Sequence, residues 1–322
     1  MTATATVTPA ASPSASVSPT GTPEASPTAA TPPPGGATST PAPAATPRAT
    51  STPNATATPA ATATAAPPQV GSWTSTAAPA GAVSTSSEWI AVAAPGGKTI
   101  LANVIRPGGA GARPVIVLLH GQSGFSNAYL SLGAELSRAG YVVVAGCWFG
   151  GHYDGSSTAD PPPSITLAGG IACPNGPTLK SITSAAATED VAALVTAARS
   201  LSGVESGGVA LVGNSRGSII AILTEALRGG GIGAVAGIGG APPGGALLAA
   251  AIASPVLLLQ GEEDSVVPVV NAQSLEAGLT ALGRTVVAHY YPQHGHGILF
   301  DTPQHSDAVA RVTEFLDTYL PD

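Results

Sequence analysis

From Ser87 onward, short apolar runs rich in β-branched residues alternate with segments of helical periodicity, and this alternation restricts the fold more than any other feature. Strands are predicted at 88–94 (EWIAVAA), 98–105 (KTILANVI), 114–119 (PVIVLL), 141–146 (YVVVAG), 208–212 (GVALV), 233–238 (GAVAGI), 255–260 (PVLLLQ) and 285–291 (TVVAHYY). Helices are predicted near 126–139, 183–202, 216–228, 271–282 and 306–319. Runs that are apolar on both faces belong to strands covered by helices on each side. The expected architecture is a doubly wound α/β domain over residues 85–322, with a mostly parallel eight-stranded sheet flanked by helices. The first two strands follow each other without a helix, so they are expected to form an antiparallel edge. Outside the first 84 residues no internal repeat is visible, which leaves one domain.

Residues 1–84 read differently. The first 70 carry one acid (Glu24), one base (Arg48), no aromatic residue and about half of the chain's 31 prolines. Such a segment has too little apolar surface to offset the entropy of ordering, so a disordered tail is expected. Repeated Thr-Pro, Ser-Pro and Ala-Thr units favour extended backbone and suit a tether at a cell surface. Met1 is followed directly by Thr-Ala-Thr, without the positive and apolar regions of a signal peptide. Two readings stay open: the protein is retained inside, or an export signal lies upstream.

Charge excludes some functions. With a net charge of −7 and only two lysines, Lys98 and Lys180, the chain has no basic cluster, so no nucleic-acid partner is expected. No run reaches the ~18 apolar residues of a membrane span, so no integral membrane segment is expected.

One motif carries the chemistry. The strand ending at Val212 runs into Gly213-Asn214-Ser215-Arg216-Gly217, and a helix follows at once. This is G-x-S-x-G in the strand–turn–helix context that the motif requires. So tight a turn leaves no room for side chains two positions either side of the serine, and it lifts the Ser215 hydroxyl above the sheet edge. A hydroxyl needs a base and an orienting carboxylate to act as a nucleophile, in the chain order Ser, acid, His. Beyond the strand 255–260, Asp264 is the preferred acid, with Glu262 and Glu263 as competitors expected to face solvent. Beyond the strand 285–291, His296, flanked by Gly295 and Gly297, is preferred over His294 as base. The oxyanion donors are expected to be the backbone N–H groups of Arg216, at the helix start, and Gln122, in His120-Gly121-Gln122-Ser123-Gly124-Phe125. Phe125 is expected to line the pocket.

HGQSG, GNSRG, GEEDSVVP and YYPQHGHG, in this order, resemble the α/β-hydrolase superfamily over roughly residues 85 to 320. Within it, the dienelactone-hydrolase-like and acyl-peptidase-like branch is the most similar. The resemblance implies a Ser–Asp–His hydrolase of ester or related acyl bonds, with no metal and no organic cofactor. The last motif is similar to the branch's Y-P-x-x-G-H-G-F, which favours His296, although Ile298 replaces the aromatic residue. Dienelactone hydrolases use a cysteine nucleophile where this chain has Ser215.

Cys147 and Cys173 are the only cysteines and lack metal-ligand spacing. A Cys147–Cys173 disulfide, in preference to two buried free thiols, is expected to pin the excursion 148–180, which leaves the C-terminal end of a strand and should overhang the active site. Trp148, Phe149, His152 and Tyr153 are its candidates for substrate contact. The disulfide and the tether point to an extracellular or cell-surface location. The function expected is an esterase acting on a small, uncharged ester or acyl substrate. The alternatives are a short-peptide or acyl-peptide peptidase, and a non-catalytic binding module on the same fold.

Overall fold

The computed structural model describes residues 68–83, 86–149, 170–171, 173, 183–300 and 302–320. The expectations placed on residues 1–67, and on His152 and Tyr153, lie outside the described residues. Among the described residues nine strands form one sheet: β1 (Trp73–Thr76), β2 (Glu88–Ala94), β3 (Lys98–Ile105), β4 (Val115–Leu119), β5 (Val142–Gly146), β6 (Val209–Asn214), β7 (Ile232–Ile238), β8 (Val256–Gly261) and β9 (Val286–Tyr291). The helices are α1 (Asn127–Arg138), α2 (Ser184–Arg199), α3 (Arg216–Arg228), the short α4 (Gly245–Leu248), α5 (Val269–Ala281) and α6 (His305–Tyr319).

The spatial order is β1-β2-β3-β5-β4-β6-β7-β8-β9. β1, β2, β3 and β5 pair antiparallel, and the pairs from β5 through β9 are parallel. The eight predicted strands are all present, and the expected count of eight is corrected to nine by β1. That strand is exposed apart from Trp73, whose indole N–H donates to Ser200 Oγ at 2.9 Å, and Gly71 N–H donates to Ala93 O. Its sequence, WTST, has neither the apolar alternation nor the length of the others and resembles the Thr-rich tail before it.

Strand side chains alternate between two cores because successive Cβ atoms point to opposite faces. Val117, Leu119, Val142, Val144, Leu211 and Leu258 pack on one face together with Val191, Leu194 and Leu275 from α2 and α5. Ile116, Leu118, Val143, Val212 and Leu257 pack on the other with Leu132 and Leu136 of α1 and Val312 and Phe315 of α6. Full burial of each such side chain contributes roughly 1.5–3 kcal/mol relative to exposure.

The strand order positions the site. The chain moves from β4 outward to β5, then returns to place β6 on the other side of β4. That reversal opens a crevice beyond the strands' C-terminal ends, where open α/β sheets bind ligands. The loops leaving β4 and β6 therefore lie side by side, with Leu119 paired to Gly213. At the far edge, β8 and β9 pair through Gly261 and Tyr291, so the loops that follow them are neighbours too.

Candidate active site

Ser215 sits between β6 and α3 with φ 54° and ψ −117°, a conformation that side-chain-bearing residues rarely adopt. Its N–H donates to Ile238 O at 2.7 Å, which anchors the turn to the end of β7. The two glycines of the motif have separate reasons. A Cβ on Gly213 would lie 2.3 Å from the Gly217 carbonyl oxygen, so the turn itself excludes it. A Cβ on Gly217 would lie 2.4 Å from Leu119 O, so there the limit is the packing of α3 against the end of β4.

His296 Nε2 lies 2.8 Å from Ser215 Oγ, and His296 Nδ1 lies 2.8 Å from Asp264 Oδ2. Residues distant in sequence thus form one hydrogen-bonded chain. The Asp264 side chain is fully buried and that of His296 is 10% exposed. Asp264 Oδ1 accepts the N–H groups of Val266 and Val267, both at 2.8 Å, and Oδ2 accepts Gln260 Nε2 at 2.6 Å. Burial alone would raise this carboxyl, but the hydrogen bond and charge of His296 and the two N–H groups outweigh it and hold Asp264 below its ordinary range. The competitors are placed elsewhere. Glu262 and Glu263 are exposed, and their N–H groups donate to Tyr291 O and His294 O, stitching the two loops together. His294 turns back on Pro292 O at 2.7 Å.

The loop after β4 approaches from the other side. A Cβ on Gly121 would lie 3.3 Å from Ser215 Cβ and 3.2 Å from the Asn214 oxygen, so Gln122, the next residue, starts beside the serine. Arg216 opens α3 immediately after it, where a helix presents N–H groups and partial positive charge. Burial lowers the Arg216 guanidinium from its ordinary range.

Three of the aromatic residues expected to face a substrate gather around one histidine. Phe125, Trp148 and Phe149 are buried, and they surround the imidazole of His120 with ring centroids 5.7, 5.4 and 4.4 Å away. Trp148 Nε1 donates to His120 O at 3.1 Å. These contacts place the three aromatic side chains around His120, which follows β4. Cys147 and Cys173 form a disulfide, which ties the end of β5 to residue 173.

Three residues in contact with these groups are not among those expected from the sequence. Gln260 is the one polar residue of β8, and that break in an apolar run was its available signal. His120 stands in a motif noted for its glycines. Tyr129 reads from sequence as a core residue of α1, and nothing local distinguishes it. Among the described residues no group of three or more His, Cys, Asp or Glu is arranged to hold a metal ion. No described helix is long and apolar enough to cross a membrane.

Residues 100–320 match the model of the dienelactone hydrolase family. Among solved structures, the chain is similar to a dienelactone hydrolase-like promiscuous phosphotriesterase from metagenomic libraries, at 15% identity and a TM-score of 0.58, covering 73% of this chain and 98% of that one. A thermostable carboxyl esterase from Bacillus coagulans, solved with glycerol, aligns at 14% identity and a TM-score of 0.56, over 74% of this chain and 100% of that one. The acylaminoacyl peptidase of Pyrococcus horikoshii aligns at 14% identity and a TM-score of 0.57, over 72% of this chain and 41% of that one. At these identities the likeness concerns the fold. No curated protein matches the sequence.

Proposed function

Because this chain belongs to the dienelactone hydrolase family, we propose that it is a serine hydrolase cleaving carboxylic ester or related acyl bonds. The observation that carries this reading is the unbroken hydrogen-bonded chain from Asp264 through His296 to Ser215, at 2.8 Å for each step. Asp264 Oδ2 can only accept from Nδ1, so the neutral imidazole keeps its proton there and leaves Nε2 free to take one from Ser215.

In the proposed reaction Ser215 Oγ bonds to the acyl carbon as its proton passes to His296 Nε2. The carbonyl oxygen takes the negative charge and is met by the N–H groups of Gln122 and Arg216. Collapse breaks the bond to the leaving oxygen, which receives the proton from His296. Water, giving a proton to the same nitrogen, then attacks the acyl-enzyme and releases the acid and Ser215 Oγ–H. Asp264 keeps its negative charge throughout and stabilises the imidazolium. No step requires a metal or organic cofactor.

The disulfide supports a place of action outside the reducing cytoplasm. The test of the function is hydrolysis of p-nitrophenyl esters of graded acyl length by the wild type and by Ser215→Ala. Turnover that disappears in the variant is expected. Equal turnover in both would remove Ser215 from the mechanism, and its absence from both would remove the esterase reading.

A further inference from the structure

We infer that Tyr129 is a positioning residue for the oxyanion site, its hydroxyl joining the loop after β4 to the nucleophile turn so that the two N–H donors keep their spacing. This rests on the reading of Ser215 as nucleophile and of Gln122 and Arg216 as donors. The Tyr129 side chain leaves α1 and is fully buried, and burial raises its hydroxyl above the ordinary range, so it is neutral. Its oxygen accepts two hydrogen bonds, from Gly121 N–H at 2.7 Å and from Asn214 Nδ2 at 3.0 Å. Gly121 immediately precedes one proposed donor, and Asn214 immediately precedes Ser215. One oxygen therefore joins the two loops.

The next peptide, Gly121–Gln122, is held as well. The Gly121 carbonyl accepts from Gly124 N–H at 3.1 Å and faces His120 Nδ1 at 3.0 Å. A carbonyl only accepts, so Nδ1 carries the proton, while His120 Nε2 is buried without a hydrogen-bond partner among the described residues. In a trans peptide C=O and N–H point in opposite directions. Fixing the Gly121 carbonyl toward His120 and Gly124 therefore aims the Gln122 N–H the opposite way. Tyr129 supplies the remaining constraint, because it stops Gly121 from rotating about its own N–Cα end. Oxyanion donors act through placement, and a shift near 1 Å costs on the order of 100-fold in rate.

The test replaces Tyr129 by phenylalanine, which keeps the ring and removes the oxygen. With an ester substrate, kcat is expected to fall by about 10- to 100-fold while KM stays within about threefold. The Ki of a trifluoromethyl ketone, which forms an oxyanion on Ser215, is expected to rise in step with the loss of kcat/KM. A purely structural hydroxyl would lower the melting temperature and leave kcat per folded molecule unchanged, and that result would overturn the inference. Asn214→Ala cuts the same bridge from the other side and serves if Tyr129→Phe does not fold. It is expected to lower kcat at constant KM, and an unchanged kcat there overturns the inference equally. Ser215→Ala in the same series separates the two levels: full activity in that variant would mean that the nucleophile assignment itself had failed.

Discussion

Gln260 donates its side-chain amide to Asp264 at 2.6 Å, on the same carboxylate oxygen that His296 faces at 2.8 Å. The second bond from that amide nitrogen goes to Val267 O at 3.1 Å, so the buried Gln260 is itself oriented by the loop it supports. Gln260→Leu removes a hydrogen bond to a charged group, a change of about 1.5–3 kcal/mol. The carboxylate of Asp264 is then less well stabilised, and the acid limb of kcat/KM is expected to move upward. A pH–rate profile of the variant checks this, and an unmoved limb refutes it.

Asp264→Asn leaves Val266 and Val267 N–H groups an acceptor but turns an NH₂ toward His296 or Gln260, both of which donate there. The imidazole is forced into the wrong tautomer. A fall in kcat of about 10³- to 10⁴-fold is expected with a folded protein, read from turnover together with circular dichroism.

His120 links stability to pH. Its burial outweighs the hydrogen bond to Gly121 and lowers the imidazole from 6.5 to about 4. The unfolded chain binds a proton between these values that the folded chain refuses. Its stabilising contribution is therefore complete above about pH 6.5 and is lost as pH falls toward 4, amounting to about 3 kcal/mol. Denaturant unfolding at a series of pH values should show His120→Asn with a shallower loss over this window than wild type. Parallel curves would show that His120 takes no part in the acid sensitivity.

The nucleophile turn tolerates no side chain at its first glycine. Gly213→Ala sets a Cβ 2.3 Å from the Gly217 oxygen, where only backbone movement relieves the clash. A destabilisation of about 2–4 kcal/mol is expected from thermal unfolding, with loss of the proposed hydrolytic activity in whatever folds.

Removing the disulfide by the double change Cys147→Ala, Cys173→Ala opens a loop of 26 residues separation. The expected loss is about 3 kcal/mol. Mass spectrometry of the alkylated, non-reduced protein should find no free thiol, and two alkylated cysteines would count against the bridge.

What was legible in the sequence follows a physical pattern. All eight predicted strands and the five longer helices are present, because periodicity and turn residues act through near neighbours. Asp264 and Glu263 could be told apart only by spacing from the strand end, and in the folded protein the first is buried while the second is exposed. β1 was missed because an exposed edge strand owes its formation to the partner, β2, and carries little pattern of its own. Phe125, Trp148 and Phe149 were expected at the surface of the site, since aromatic residues near a catalytic loop suit a pocket and a core equally well. In the folded protein all three are buried around His120.

The order of the eight longer strands and five longer helices, and the tight turn at Ser215, were legible in the chain. These depend on local sterics and on hydrophobic period, which a short window of residues contains. Tertiary structure alone decided which loops meet. β4 lies beside β6 and β8 beside β9, so Gly121 reaches Ser215 and Asp264 reaches His296. It also decided that the Tyr129 oxygen serves both Gly121 and Asn214, the latter 85 positions away. A hydrogen bond between such distant residues is made by packing, and it leaves no periodicity in the chain from which it could be read.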